Sequence, residues 1–255
     1  MYRTVVFALV LLVGGCAGSF GLPSPEASKM IASAKTVGVI SAVGQKFALQ
    51  KIGITVFGNE FNEVAIGSWG IDDAVAGKVS ALLSPRFKIK RINAPPGAFA
   101  SYDKPAPFSD SGAELQSIVR KLAASQGCDL VIVVTRAGAP WGSSNQVVVG
   151  LGILEAGGLI NADNVTLFAI TTVHVYDGRT YESLAWQRTD FQIGASLMGK
   201  AINGPHRTLD RTWWPATPQA VHSDKLKSAT RALVEQSLAT TIPQVMGMTK
   251  QAKGG

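Results

Sequence analysis

Apolar and polar residues recur along most of the chain in patterns that predict secondary structure. β-Branched and small apolar residues fill positions 36–43, and a Gly-Gln pair then suggests a tight turn before a second strand at 46–57. In that second run the apolar residues switch from odd to even positions, which predicts a β-bulge near Gln50 and Lys51. Residues 58–70 show no such pattern and are predicted to form a loop.

Three later segments carry apolar residues at helical spacing. The first covers residues 71–83, and the second opens at Ser111, whose distance from Glu114 in the sequence fits a capping box. The third begins at residue 224 and continues to about residue 242, where Pro243 kinks or ends it. We therefore expect three helices in the folded domain.

The remaining patterned segments favour strands. Residues 130–134 form an unbroken apolar run, as in a central strand covered on both faces. Further strands are predicted at 86–92, 146–154, 164–176 and 180–189, with a hairpin turn at Asp177-Gly178. This order predicts an α/β (α+β) fold: a single mixed β-sheet with helices packed on it, an antiparallel meander and a C-terminal helix.

The start of the chain has the layout of a signal peptide. Arg3 is the one charged residue among the first 25, an apolar run follows, and Val13-Gly14-Gly15-Cys16 closes the segment. This tetrapeptide resembles the bacterial lipobox. The resemblance implies that residues 1–15 are removed and that Cys16 carries the lipid, with palmitate among the expected acyl chains.

The lipobox also divides the rest of the chain and suggests a location. Residues 16–35 are predicted to be the lipidated N-terminus and tether, flexible over Gly18–Pro25, followed by one α/β domain at 36–246 and a flexible tail at 247–255. Ala17 after the cysteine is similar to the pattern for sorting to the outer membrane. We expect an outer-membrane, lipid-anchored protein whose domain lies in the periplasm, with the cell surface as the alternative.

Charge and cysteine content narrow the set of partners. The chain has a formal net charge of +7, which removal of Arg3 with the signal peptide lowers to +6. This favours contact with anionic lipid or cell-wall polymer over nucleic acid in an exported protein, although the charge alone could simply provide solubility. The other cysteine, Cys128, precedes an apolar strand and is predicted to be a buried structural thiol.

Two glycine-rich segments resemble nucleotide-binding motifs without meeting their requirements. The segment from Gly194 to Lys200 has phosphate-loop spacing, but Ala201 stands where Ser or Thr should hold magnesium. After Gly150-Leu151-Gly152, Glu155 stands where a dinucleotide fingerprint needs a third glycine, so the two glycines are predicted to allow a close approach of another backbone or a bulky side chain in a strand. We therefore predict no nucleotide, no cofactor and no nucleic acid as a partner.

Candidate catalytic and metal-binding residues do not form a recognisable set. The three histidines lack metal-ligand spacing, and the acidic residues near the first helix fit no calcium loop: Glu60, Glu63, Asp72 and Asp73. His174 lies within an apolar strand and is predicted to be structural or exposed there. We predict no catalytic site and no metal site, and therefore a protein that is not an enzyme.

Residues 191–222 form a long segment without a period, and such segments are often functional. Trp213, Trp214 and Arg211 within it are residue types that binding surfaces favour, so they are our candidate partner surface. The alternative is that both rings fold back over the sheet as a lid.

The order of elements over residues 36–190 resembles the periplasmic α/β domain of the curli-secretion lipoprotein and of the lipoprotein activators of penicillin-binding proteins. The resemblance extends to an apolar strand that turns at Asp-x-x-Thr-Gly, here Asp177 to Tyr181 with tyrosine at the glycine position. It implies a non-enzymatic domain that binds an envelope protein or a cell-wall component, or that assists assembly. The alternatives are an oligomeric pore or secretion-associated lipoprotein, suggested by the nearly uncharged strands after residue 146, and an envelope hydrolase.

Overall fold

The computed structural model describes residues 21–53, 56–107, 109–141, 146–156, 164–189 and 204–248. Its helices, in chain order, are α1 (Pro25–Ser33), α2 (Ile71–Leu83), α3 (Ala100–Asp103), α4 (Ser111–Ala123) and α5 (Asp224–Val245). Its strands are β1 (Thr36–Ala42), β2 (Lys46–Ile52), β3 (Glu60–Ala65), β4 (Lys88–Arg91), β5 (Leu130–Arg136), β6 (Gly138–Pro140), β7 (Val147–Ala156), β8 (Asn164–Asp177), β9 (Ser183–Arg188) and β10 (His206–Asp210). No helix in these ranges is long and apolar enough to cross a membrane.

All of these strands join one mixed sheet, which confirms the predicted fold class. The order along the sheet is β3-β2-β7-β8-β5-β1-β4, with β6 paired to β7 and both β9 and β10 paired to β8. Strand β1 runs parallel to β4 and β5, and β2 runs parallel to β7, whereas the other pairs are antiparallel. Long β8 connects the two halves, since its first part pairs with β7 and β10 and its last part with β5 and β9.

Helices cover the sheet on both faces. On one face α2 and α5 pack over the main core, to which α5 contributes residues such as Leu233, Leu238 and Ile242. On the other face α4 places Leu115, Ile118 and Val119 against β1 and β5. Burial of each such side chain contributes about 1.5–3 kcal/mol, so the two faces hold the domain together.

The prediction that residues 16–35 are a tether outside the folded domain is wrong for residues 25–33. Residues 25–33 form α1, whose first turn is capped by the Ser24 hydroxyl, which accepts a hydrogen bond from the Ala27 amide at 3.1 Å. Ala27 and Ile31, one turn apart, are 5% and 1% exposed. The segment folds because this short apolar stripe reaches the main core. Residues 16–20 lie outside the described residues.

Two strand predictions near the start of the domain also need correction. No bulge is present at Gln50 and Lys51, because β2 keeps one register with both β3 and β7. The apolar residues change parity because the middle of β2 is buried on both faces. The predicted loop at 58–70 contains strand β3, whose mostly exposed side chains produce no apolar alternation.

The long segment 191–222 is not irregular throughout. Its described part, from residue 204, contains β10 and two 3-10 helices, Arg211–Trp213 and Pro218–His222. Strand β10 pairs with β8 as an outer strand with mostly half-buried or exposed side chains, and for this reason it shows no period. Residues 190–203, including the phosphate-loop-like motif, lie outside the described residues.

The capping box predicted at Ser111 is replaced by a cap one residue earlier. The Asp110 carboxylate accepts hydrogen bonds from the amides of Gly112 and Ala113, so Asp110 is the N-cap of α4. Glu114 instead accepts a hydrogen bond from the Ser101 hydroxyl at 2.6 Å, which connects α4 to α3. The final helix begins as predicted and continues to Val245, with Pro243 in its last turn.

Candidate functional site

Strand β3 lies at one end of the strand order of the sheet. Within the described residues, β3 pairs with β2 alone, so its other edge carries unpaired backbone groups. The aromatic side chains beside this edge are exposed: Phe61 is 56% exposed, and Phe57, just before the strand, is 96% exposed. Large exposed aromatic residues beside an open strand edge are features of a binding surface.

The hairpin of β6 and β7 extends this apolar surface. Val147 and Val149 are 50% and 37% exposed. The Gln50 side-chain amide, opposite Phe61 in the strand register, donates to the Val147 carbonyl at 3.2 Å. We call Phe61, Val147 and Val149 the apolar rim, and it borders a groove.

The groove has a volume of ≈ 450 Å³. Apolar residues of the rim and Tyr102 form part of its wall, and charged residues form the rest: Lys46, Glu63, Asp103, Lys104 and Arg136. Elements far apart in the sequence supply these side chains, since they come from β2, β3, β5 and the end of α3. The groove can therefore receive a chain that combines apolar and charged groups.

An ion-pair network around the buried Arg136 side chain forms the charged wall. The Arg136 side chain is 6% exposed, and its Nη2 lies 2.6 Å from Glu63 Oε1. Lys46 Nζ lies 2.9 Å from the other Glu63 oxygen, and Arg136 Nη1 is 4.0 Å from Asp103 Oδ2. Arg136 Nε is buried without a hydrogen-bond partner among the described residues, so the guanidinium is incompletely satisfied.

The pKa values of the two carboxylates in this network are shifted in opposite directions. Burial acts to raise the pKa of Glu63, but the hydrogen bonds and charges of Lys46 and Arg136 outweigh it and lower that pKa. Burial raises the pKa of Asp103, which the more distant Arg136 and Lys46 only partly offset. Glu63 is thus the carboxylate closest to Arg136, and Asp103 lies farther from the guanidinium.

Glycines in β7 make room for this arrangement. Gly150 has φ +68°, and a Cβ there would lie 2.5 Å from Arg136 Nε. A Cβ on Gly152 would lie 2.4 Å from the Phe168 ring and 2.6 Å from the Ala48 carbonyl oxygen. The interpretation of Gly150-Leu151-Gly152 as a site of close approach is therefore confirmed.

A second cleft, ≈ 670 Å³ in volume, lies beyond the carboxyl ends of parallel strands β1 and β4. It shares Lys46, Asp103 and Lys104 with the groove, so the two openings adjoin. Ligands of open α/β sheets commonly bind outside the carboxyl ends of the strands. The Pro95-Pro96-Gly97 loop after β4 forms part of its wall.

The acidic cluster noted in the sequence is divided among separate structural roles. Asp72 Oδ1 accepts hydrogen bonds from the Ser41 hydroxyl and from the amides of Val43 and Gly44, which fixes the turn after β1. Asp73 pairs with Arg91 beside the cleft. In the ranges that the structure describes, no three acidic, histidine or cysteine side chains are placed to hold a metal ion.

The three histidines occupy different environments. His174 lies 3.5 Å from the Thr135 hydroxyl and stacks on Tyr176, with ring centres 6.2 Å apart. Burial lowers the pKa of His174 to about 4. His222 accepts a hydrogen bond from the Trp69 indole at 3.1 Å, and His206 contacts the Gly204 carbonyl at 2.8 Å. These contacts fit structural roles and provide no support for the hydrolase hypothesis.

The sequence-based candidates for the partner surface are not among the residues that line the groove. Trp213 and Trp214 are half-buried and pack against the main core, with Lys225 Nζ 3.8 Å from the centre of the Trp213 ring. Arg211 Nη2 lies 2.6 Å from Glu155 Oε1. This packing matches the lid alternative, and a role of these residues in partner binding stays a prediction.

Of the two cysteines, Cys128 lies within the described residues and Cys16 does not. Cys128 is buried, which confirms the structural interpretation, and burial raises the pKa of its thiol. Cys16 and the lipobox lie outside the described residues, so lipidation stays a prediction.

Sequence reasoning did not identify the groove. Arg136 ends β5 just after its apolar run, and Glu63 was noted only as one of the acidic residues near the first predicted helix, so no pattern linked the two residues. A cation directly after a buried strand is the clue that could have pointed to Arg136. The fold and its site thus define a single-sheet α/β domain with an open strand edge and an adjoining groove.

No protein-family model matches the sequence, and no curated protein matches it at a significant level. The solved structures to which this chain is similar include lipoprotein GNA1162 from Neisseria meningitidis. It is 12% identical, the match covers 80% of this chain and 98% of that chain, and the TM-score is 0.28. The hypothetical protein CT253 from Chlamydia trachomatis is 11% identical over 81% and 98%, with a TM-score of 0.29. The LpoB C-terminal domain from Salmonella enterica is 13% identical over 64% and 90%, with a TM-score of 0.20.

Lipoproteins are therefore among the structures that resemble this chain. At identities of 11–13% and TM-scores of 0.20–0.29, these similarities do not indicate the function of this chain.

Proposed function

We propose that this chain is an outer-membrane lipoprotein, anchored through lipid on Cys16, whose periplasmic domain binds another envelope protein without catalysis. The observation that carries the binding role is the open edge of β3 with the exposed Phe57 and Phe61 beside it. An extended segment of a partner can add to such an edge through backbone hydrogen bonds, while its side chains enter the neighbouring groove.

The groove supports this mode of binding. Its apolar rim suits aromatic or aliphatic side chains of the partner, and Lys46, Lys104 and Arg136 suit a carboxylate among them. Because Asp103 is held less closely than Glu63 by Arg136, a partner carboxylate can take its place beside the guanidinium. The expected partner is thus an extended peptide segment with apolar and acidic residues.

The oligomeric pore or secretion-associated alternative receives less support. This alternative requires the uncharged strands after residue 146 to leave the sheet and join an oligomeric assembly. In the structure β7 and β8 are paired within this domain. Their insertion would break those hydrogen-bond ladders.

Site-specific photo-crosslinking in the native cell tests the proposal. With a benzophenone amino acid at Phe61, we expect one defined covalent adduct with an envelope protein. Ser117, exposed on α4, provides the matched control and should give no such adduct. A Phe61→Asp substitution should abolish co-purification of that protein while leaving the fold intact. Equal adducts at both positions, or none at Phe61, would overturn the proposed surface.

A further inference from the structure

The order of the strands creates the second cleft. Strand β1 has β4 and β5 as parallel neighbours on its two sides. Helix α2, which precedes β4, packs on the main core, whereas the loop after β4 and helix α4 pack on the opposite face. The start of α2 and this loop therefore leave a crevice between them at the carboxyl ends of β1 and β4. Ligands of open α/β sheets commonly bind in such a crevice.

The cleft has the size and the wall of a site for a small ligand. Its volume of ≈ 670 Å³ lies within the usual range of such sites, about 300–1,000 Å³. Much of the wall consists of small apolar residues, among them Ala42 of β1, Ala65 of β3, Ala76 of α2 and the Pro95-Pro96-Gly97 loop. These residues favour a narrow ligand whose own side chains are small.

The carboxylates at the start of α2 are already engaged within the protein. Asp72 Oδ1 accepts three hydrogen bonds from β1 and the turn after it, and its Oδ2 accepts one from Gln45 Nε2 at 3.2 Å. Asp73 pairs with Arg91. This side of the cleft is therefore held in place by internal contacts, and its charges are balanced.

The end of the cleft that adjoins the groove carries an excess of positive charge. The charged side chains around this end are the cations Lys46, Lys104 and Arg136 and the carboxylates Glu63 and Asp103. Glu63 pairs with Lys46 at 2.9 Å and with Arg136 at 2.6 Å. Asp103 faces Arg136 at 4.0 Å. Lys104 has no ion-pair partner among the described residues, so a carboxylate on a ligand is the group that would balance it.

Amide side chains along the cleft match a peptide backbone. Asn93 directly follows β4 and lines the cleft, and its side chain makes no hydrogen bond within the described ranges. An asparagine side chain offers both a donor and an acceptor. Gln45 donates to Asp72 and keeps its carbonyl oxygen as an acceptor. A peptide unit can use these groups, whereas a hydrocarbon chain cannot.

We propose that this cleft binds a short peptide with small side chains through its terminal carboxylate. The carboxylate lies beside Lys104, the side chains lie along the alanine- and proline-rich wall, and the peptide units pair with Asn93 and Gln45. This ligand is distinct from the envelope protein of the proposed function, which adds to the β3 edge.

Titration of the full chain, purified in detergent, with N-acetyl-Ala-Ala tests the proposal. Amide chemical shifts in NMR spectra locate the site, and calorimetry gives the dissociation constant. We expect shift changes at Asn93, Ala98 and Lys104. The same peptide with an amidated carboxyl end should bind about fivefold more weakly, because it lacks the charged partner of Lys104.

Lys104→Gln identifies the cation that recognises the carboxylate. In this variant the acid and the amide should bind with equal affinity, whereas Lys104→Arg should restore the preference for the acid. Lys121, exposed on α4 and absent from the lining of the cleft, provides the matched control, and Lys121→Gln should keep the preference. Binding of the amide to Lys104→Gln shows that this variant is folded.

Three results would overturn the proposal, each at a different step. Unchanged shifts at Asn93 and Ala98 would exclude the cleft as the site. Equal affinity of the acid and the amide for the unaltered chain, or a preference that persists in Lys104→Gln, would exclude recognition of the carboxylate by Lys104. Hexanoate that binds as tightly as the dipeptide would exclude a role of the peptide units. The measurement contains no partner protein, so its result is independent of the proposed function.

Discussion

At the scale of single residues, the turn after β8 shows how local geometry selects a residue type. Tyr181 has φ 63° and is the one non-glycine residue with positive φ in the part of the chain that the structure describes. The Asp177 carboxylate fixes the turn by accepting hydrogen bonds from the amides of Arg179 and Thr180 at 2.8 and 2.7 Å. In the Asp-x-x-Thr-Gly pattern that this turn resembles, glycine stands at the position of Tyr181, and a left-handed backbone is one that glycine adopts without strain.

Tyrosine is tolerated at this position because its ring packs. Tyr181 is 8% exposed, and the Arg120 guanidinium lies 5.6 Å from the ring centre. Packing of the ring therefore offsets a backbone strain of about 1–2 kcal/mol.

Replacing Tyr181 separates the strain from the packing. Both Tyr181→Ala and Tyr181→Gly should destabilise the domain through loss of the ring, but the glycine variant should be about 1 kcal/mol more stable than the alanine variant. At Gly77 in α2 alanine should instead be more stable than glycine, because a Cβ there would meet open space in a helix. We therefore expect Gly77→Ala to increase stability. Urea unfolding measures all three differences. An alanine variant at 181 as stable as the glycine variant would contradict the strain.

At the scale of elements, the ends of helices depend on which side chain reaches the free amides. The sequence offered Ser111 as the cap of α4, because Glu114 follows at the required spacing. In the structure Asp110 caps the helix, and its carboxylate also lies favourably at the positive end of the helix dipole. Glu114 is used for contact with α3 instead.

The two candidate caps of α4 can be compared directly. Asp110→Ala should lower the free energy of unfolding by about 1 kcal/mol, because two amides of the first turn lose their acceptor. Ser111→Ala should change stability by much less, since the structure gives that side chain no capping role. Chemical denaturation of the two variants decides between them, and a larger loss at Ser111 would restore the capping box.

At the scale of the whole molecule, β8 connects the two halves of the sheet and holds an ionisable group in its buried part. His174 lies between Val133 of β5 and Trp186 of β9 in the strand register. Burial disfavours the charged imidazole and lowers the pKa of His174 from 6.5 to about 4. Protonation of this residue is therefore coupled to unfolding of the sheet.

The pH dependence of stability follows from this shift. Between pH 6.5 and about 4 the unfolded chain binds a proton at His174 that the folded chain does not, so stability decreases as the pH falls through this window. The full effect is about 3 kcal/mol, from about 1.4 kcal/mol per pKa unit. Urea unfolding at a series of pH values should show that His174→Phe removes this part of the dependence.

Thr135→Val serves as the control for that comparison. It changes the hydroxyl beside the ring and keeps the titrating group, so the dependence should remain. An unchanged pH profile in His174→Phe would show that the imidazole is not responsible.

The elements that the sequence predicted correctly have one strongly patterned or fully buried surface. Helix α2 shows the apolar spacing of a helix with one buried side, and β5 is a continuous apolar run because both of its faces are covered. The elements that it missed or misplaced are peripheral. Strands β3 and β10 expose most of their side chains, and α1 buries only two residues.

The candidate site could not be predicted, because its residues meet only after folding. Lys46, Glu63 and Arg136 come from three strands and form one network through the order of the sheet. The exposure of Phe61 likewise depends on β3 having one neighbour among the described residues. Neither feature is encoded in a local motif.

The sequence by itself determined the α/β fold class, the principal helices and the lipobox that predicts an anchor at Cys16. These depend on local spacing, which any segment carries without its neighbours. The tertiary structure decided where the groove lies, which strand edge is open and that the chain at Gly21 already packs against the sheet. It did so because the pairing of β2 with β7 and the contact of Gly21 with β9 join residues that are distant in the chain.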